Sequence, residues 1–220
     1  MATSHEKMVT IIGSSYFQPM ADLLDRWLAR RRPRPNAAYA GYYENGYAAS
    51  FVVLLVAVLE SYVARIRFKR KAALQSDPAS IPNLLLHVFP DLPNHDQLLE
   101  VFVVRNAIIH NHLWEIDFSP GRSSPMVVHQ ATRDLADGKT SSYKKCVIER
   151  LRRTKKLRLT VNPIRVDRKD AAKVFRVIWD TLLFIESKDR DLCSVSEHVV
   201  GYAQKRVKFG QLQSVLLEAL

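Results

Sequence analysis

Cysteine, glycine and acidic side chains are all scarce in this chain. It holds two cysteines and seven glycines in 220 residues, and 22 Asp and Glu against 33 Lys and Arg. Cys146 and Cys193 lie far apart, outside any CxxC or Cys/His ligand spacing. Neither a disulfide framework nor a zinc knuckle is therefore expected, and both read as inert packing residues. The opening MATSHEKMVTII lacks the basic start, apolar middle and small-residue cleavage site of a secretory signal, and it carries no lipidation motif. The most apolar stretch, Phe51 to Leu59, is about half the length that spans a bilayer, and Glu60, Arg65 and Arg67 follow at once. It reads as a core helix, and the chain as cytoplasmic with no membrane partner. No internal repeat or low-complexity linker divides it, which leaves one domain over 1–220.

What is present is an ordinary globular composition, 47% hydrophobic and 25% charged, long enough to bury a proper core. The formal net charge is +11. A basic surface attracts polyanions before any specific contact forms, and it serves nucleic acid, an acidic protein or an anionic membrane equally well.

Apolar periodicity predicts a mainly α fold. A first helix spans about Ser15 to Arg31, with Phe17, Met20, Leu23, Leu24, Trp27 and Leu28 at helical spacing. The run RRRPRP ends it and leaves Arg30, Arg31, Arg32 and Arg34 on a solvated connector. A long helix from about Tyr42 to Ala73, apolar nearly all round, is the core helix. A short helix is expected at Ile81 to Val88 and a second long one from about His95 to Trp114. Residues from Ser119 to Asp137 read as loop, although MVVHQ suits a short strand. LRLTVNPIRV alternates as an extended edge segment. Asp167 is the expected N-cap of a third long helix, Arg168 to Glu186, and Val195 to Leu220 reads as one or two helices interrupted at Gly210.

The segment LLEVFVVRNAIIHNHLWEI sets Arg105, Asn106, His110 and His112 into an otherwise apolar helix. Burying such groups unpartnered is unfavourable, so they must reach a cleft, a partner chain or one another. Asn106 and His110, four apart, share a face. Arg105 and His110, five apart, point about 140° from each other, at about 100° per residue. The long arginine stem, or a facing second copy of the chain, would be needed to bring both tips to one point. Histidine exchanges protons near neutrality, and arginine offers a fixed planar fork to phosphate oxygens. The structural alternative pairs Arg105 with Glu60 or Glu100 as a bridge. The literal HNH at 110–112 is not an HNH nuclease motif, since adjacent positions cannot build that geometry, and His110 and His112 sit on different helix faces, against a shared metal. His112 is either an accessory proton carrier or a surface residue.

RNAIIH resembles the motif of HEPN domains, in which an Arg, usually followed by a polar residue, precedes a His by a short spacer. The preceding AASFVVLLVAVLESY looks like the first core helix of that family, with its acidic residue at Glu60, and Asp167 to Glu186 would supply the closing helix. The resemblance covers roughly 45–188, with 115–160 as a basic insertion, 1–40 as an N-terminal helix and basic connector, and 189–220 as a C-terminal helical tail. It implies a HEPN-like four-helix bundle with extra terminal helices and a small basic loop/strand insertion. It also implies a homodimeric RNA endonuclease using neither metal nor cofactor, of the kind found in prokaryotic toxins and anti-phage defence effectors. On that resemblance His110 and Arg105 would be catalytic, Asn106 would orient the site, and Glu60 would support Arg105 or a histidine. HEPN-like domains also include non-catalytic RNA-binding and protein-interaction modules, which is the alternative reading.

Residues 139–158, KTSSYKKCVIERLRRTKKLR, carry many Lys and Arg with Glu149 as their single acid. This is the expected RNA-gripping surface, through Lys144, Lys145, Arg150, Arg152, Arg153, Lys155, Lys156 and Arg158. Tyr143 is placed to stack, and Cys146, Val147 and Leu151 to anchor the tract. Its alternatives are a solvated face and a docking site for an acidic antitoxin or regulatory protein.

Overall fold

A computed structural model describes residues 11–30, 42–70, 80–110, 114–117, 126–130 and 141–220. A 3-10 turn, Ile12–Tyr16, runs straight into α1 (Phe17–Leu28), and α2 (Tyr42–Lys69), α3 (Ile81–Val88) and α4 (His95–His110) follow. The strands β1 (Trp114–Asp117) and β2 (Met126–Gln130) pair antiparallel. Then come α5 (Ser141–Cys146), the two-residue strands β3 (Val147–Ile148) and β4 (Arg153–Thr154), and α6 (Arg168–Lys188). A hairpin of β5 (Val199–Tyr202) and β6 (Lys205–Lys208) precedes α7 (Leu212–Glu218). The fold is mainly helical, and among the described residues the strands form only two-stranded pairs.

α2 is the axis of the molecule. It carries no proline, and Phe51, Val52, Leu55, Val56, Val58, Leu59, Val63 and Ile66 are buried along it. It packs against α1, α3, α4 and α6. The expectation that its apolar stretch is too short for a bilayer is corrected: among the described residues 43–69 form one helix long and apolar enough, with mean hydropathy 1.9 over its best window, half of which is buried within the fold. Nothing of a side chain is needed where the N-terminal turn crosses it. A Cβ at Gly13 would meet Ser61 Cβ at 2.9 Å, and the Gly13 N–H instead donates to Ser61 Oγ at 2.8 Å.

One end of the bundle is tied by a buried ion pair. The Arg168 Nε–H donates to both Glu44 oxygens at 3.1 and 3.0 Å, the Arg168 backbone N–H donates to the same carboxylate at 3.2 Å, and the Trp27 indole N–H donates to it at 2.8 Å. α1, α2 and α6 meet there. Asp167, as expected, caps α6, accepting from the N–H groups of Lys169 and Asp170 at 2.9 and 3.1 Å.

Three expectations are corrected. The helix expected to reach Trp114 does not, for Trp114 opens β1, and α4 is described as far as His110. The first helix is a 3-10 turn before Phe17 and ends at Leu28. The tail is not helical from Val195: residues 199–208 form a hairpin whose turn places Ala203 and Gln204 at φ 46° and 63°. That turn pattern ordinarily announces itself through Asn or Gly, and here neither is present, so the hairpin was silent in the sequence. The tail is held by an aromatic cluster, Phe17 lying 4.4 Å from Phe209 and 4.5 Å from His198 between ring centres. Gln18 adds strand-like bonds to both the N–H and C=O of Gly201. Gly210 does not break a helix; it sits in a 3-10 turn against the Trp179 indole, where a Cβ would come within 2.7 Å.

Both cysteines are buried, and burial pushes the Cys193 thiol up to about 12 and the Cys146 thiol above its ordinary value. Asp170, buried near the start of α6, has its carboxyl pushed up to about 7 by burial and by neighbouring Asp167, against the Thr160 N–H, Arg153 and Lys173.

Two outcomes follow for stability. Glu44→Ala leaves a buried guanidinium unpaired and should lower the unfolding free energy by about 3–5 kcal/mol, read from the urea midpoint. A loss within about 1 kcal/mol would mean that the pair is not holding the three helices. For Asp170 the folded carboxyl binds its proton more tightly than the unfolded one. Its contribution is therefore complete below about pH 4 and is lost as pH rises towards 7, by on the order of 4 kcal/mol at most. Relative to wild type, Asp170→Asn should gain stability progressively from pH 4 to 7, and a difference independent of pH would contradict the raised carboxyl.

Candidate functional site

α4 carries the two polar positions that matter because its other positions commit it to the core. Leu98, Val101, Val103, Val104 and Ala107 are buried, which fixes the helix rotation and turns Asn106 and His110 outward. Arg105 lies at the edge of the buried face. Its guanidinium bends towards α2, where one terminal nitrogen donates to Glu60 Oε1 at 2.9 Å and the other to Asn106 Oδ1 at 3.0 Å. The Arg105 and Glu60 side chains remain 24% and 30% exposed, so the pair is a bridge partly open to solvent and not a sealed one. Between the two expected partners, Arg105 thus takes Glu60. His110 is the last residue of α4 and is exposed, its side chain making no hydrogen bond to the described residues.

Three of the four expected residues, Arg105, Asn106 and Glu60, therefore form one connected cluster, with His110 further along the same helix and unattached to it. His112 lies outside the described residues, as do Arg31, Arg32 and Arg34. Among the described residues no three His, Cys, Asp or Glu side chains are grouped as metal ligands would be.

Glu100, the other candidate partner, has a different task. It is buried, and its two carboxylate oxygens accept from the backbone N–H groups of Lys156 and Leu157 at 2.7 and 2.8 Å. This clamps the basic tract onto α4. Backbone hydrogen bonds do the rest: Lys155 N–H donates to Cys146 C=O, Thr154 N–H to Leu159 C=O, and Val161 N–H to Arg152 C=O. The tract is thus folded back on itself, and LRLTVN is not an exposed edge. Leu157, Leu159, Thr160, Val161 and Asn162 are buried.

Within that tract the expected roles divide. Lys144 and Lys145 are exposed on α5. Lys155 and Arg158 are exposed at the turn, Arg158 at φ 57° with its C=O accepting from Arg153 Nη1 at 2.7 Å. Lys156, expected free for phosphate, is instead paired with Asp96, whose carboxyl is held below its ordinary value by that ammonium. Tyr143 is half-buried against the core instead of standing free to stack. Cys146 and Val147 anchor the tract as expected, but Leu151 is 47% exposed; Leu157 and Leu159 do the anchoring in its place.

Arg150, Leu151, Arg152 and Arg153 line a depression of about 310 Å³ together with Thr160, Asn162 and Arg165. The last three were not singled out in the sequence. The one available signal was the alternation of LRLTVNPIR, which puts Thr160 and Asn162 on a common side of an extended chain.

Compared with protein-family models, curated proteins and solved structures, the chain matches none.

Glu100→Gln replaces one acceptor by a donor facing an N–H. It should raise amide exchange at Lys156 and Leu157 and cost about 1–3 kcal/mol, while amides in the middle of α2 keep their relative order of protection. Unchanged protection at 156 and 157 would show that the clamp is not what holds the tract.

Proposed function

We propose that the chain is a metal-independent RNA endonuclease of HEPN type, acting as a homodimer in the cytoplasm. The carrying observation is the Arg105 guanidinium held in a solvent-open position by Glu60 and Asn106, with exposed His110 on the same helix.

Cleavage by the RNA's own 2′-hydroxyl needs that oxygen deprotonated, the phosphorane oxygens stabilised and the leaving 5′-oxygen protonated. The 2′-oxygen bonds to phosphorus as the P–O5′ bond breaks, giving a 2′,3′-cyclic phosphate and a 5′-hydroxyl. His110 is the proton carrier in this reading. Arg105 stabilises the phosphorane, and Glu60 and Asn106 position the guanidinium by occupying its inner edge. Because Arg105 turns towards α2 while His110 stays at the helix end, a second copy of the chain is the source of the opposing group in a composite cleft. A prokaryotic toxin or anti-phage effector is the setting this chemistry suits.

The second reading, a non-catalytic HEPN-like RNA-binding or interaction module, is favoured by one observation: Arg105 already has an acidic partner, as a structural bridge would.

The two readings separate when wild type, Arg105→Ala and His110→Ala are incubated with end-labelled single-stranded RNA in EDTA. Wild type should release cyclic-phosphate ends, and each variant should cleave at least about 100-fold more slowly. Cleavage that persists in both variants would sink the proposed site. Tight RNA binding with no cleavage by any of the three would favour the binding module.

A further inference from the structure

The depression beside the basic turn is built from two separate stretches of chain. Arg150 comes from the 3-10 turn Glu149–Leu151, Arg152 and Arg153 from the residues at and before β4, and Arg165 from a second 3-10 turn, Pro163–Arg165. Four arginines line the depression of about 310 Å³, one of them, Arg153, also donating to the Arg158 carbonyl. Like charges repel, and solvated arginines ordinarily spread apart; here the backbone gathers them. Arg152 adopts the left-handed region at φ 49° and ψ 41°, a conformation unfavourable for a residue other than glycine. Among the described residues no carboxylate forms an ion pair with Arg150 or Arg165, and Arg153 acts electrostatically on the buried Asp170 without an ion-pair contact.

The floor is polar and donating. Asn162 is buried, and its Oδ1 accepts from the Ile164 N–H at 3.2 Å. That bond fixes which way the amide points, so the Nδ2 donors lie on the other side, with no acceptor among the described residues. Thr160 is held in place by its own N–H, which donates to Asp170 Oδ1 at 3.3 Å. Leu151, half-exposed, is the apolar wall.

We infer that this depression is a binding site for the phosphate group of a ribonucleotide, whether free or part of an RNA strand. Several planar forks suit a group with three acceptor oxygens and up to two negative charges better than they suit a single carboxylate. The volume is at the lower end of small-ligand pockets and accommodates one nucleotide unit, with Leu151 against its sugar or base. Arg165, Asn162 and Thr160 join Arg150, Arg152 and Arg153 as its phosphate-facing residues. Neither Arg105 nor His110 lines the depression. The inference does not depend on RNA cleavage.

The test is isothermal titration of the full chain with adenosine 5′-monophosphate, adenosine, and a short single-stranded RNA bearing a 5′-hydroxyl. Wild type should bind the monophosphate or the RNA, and adenosine at least tenfold more weakly. Arg150→Glu with Arg165→Glu should weaken phosphate-dependent binding at least tenfold with an unchanged melting temperature. Arg150→Lys with Arg165→Lys should restore part of it. Both substituted arginines are exposed, so the fold survives their change. Binding of the monophosphate identifies a free nucleotide as a ligand, and binding of the RNA alone, equally lost in the Glu pair, identifies a strand phosphate. Wild-type binding of neither, or equal binding by wild type and the Glu pair, overturns the site. Arg105→Ala with His110→Ala should leave binding of the monophosphate unchanged, so failure of the proposed cleavage and failure of the pocket give different results.

Discussion

The ion pair between Glu44 and Arg168 is the constraint on which the arrangement of the helices rests. It joins the starts of α2 and α6 to the end of α1 through the Trp27 indole, in a place where both charges are almost fully removed from water. A buried charge pair gains little over a well-packed apolar replacement, yet losing one partner is expensive. Its effect is therefore to select one relative placement of three helices whose apolar faces alone would accept several. The Asp167 cap, one residue before Arg168, starts α6 at the position where that guanidinium can turn inward.

Everything chemically interesting lies on elements whose rotation this core decides. α4 is inserted by Leu98, Val101 and Val104, and Arg105 is then forced to the rim, where Glu60 of α2 is the nearest acid to meet it. Glu100, a turn and a half earlier on the same helix, faces the other way and holds the basic tract by two backbone bonds. A single helix thus presents Arg105 to a candidate reaction centre and Glu100 to the tract that carries a candidate anion-binding surface.

Charge is distributed unevenly for the same reason. The excess of basic residues in 139–158 looks uniform as a string, but folding splits it. Lys156 is drawn onto Asp96, Arg153 is braced on the Arg158 carbonyl, and Arg150, Arg152, Arg153 and Arg165 line one depression. The surface of α5 keeps Lys144 and Lys145 in solvent. Long-range attraction of a polyanion comes from all of them, whereas a shaped contact can come only from the gathered arginines.

Helices were legible where local chemistry and burial agree. The apolar run of α2, Pro82 at the start of α3, and Asp167 before Arg168 each state a helix or its boundary through a periodicity or a cap, which are properties of neighbouring residues. The Arg105, Asn106 and His110 positions were legible too, because polar groups stand out in an apolar helix. The sequence by itself determined the mainly α character, the core helix and the candidate residues, since all three follow from spacing along the chain. Tertiary structure decided the rest. The choice of Glu60 over Glu100 for Arg105, the hairpin at Ala203 and Gln204, the burial of Leu159 and exposure of Leu151, and the meeting of Arg165 with Arg150 all depend on contacts between distant segments, whose free energies no local pattern encodes.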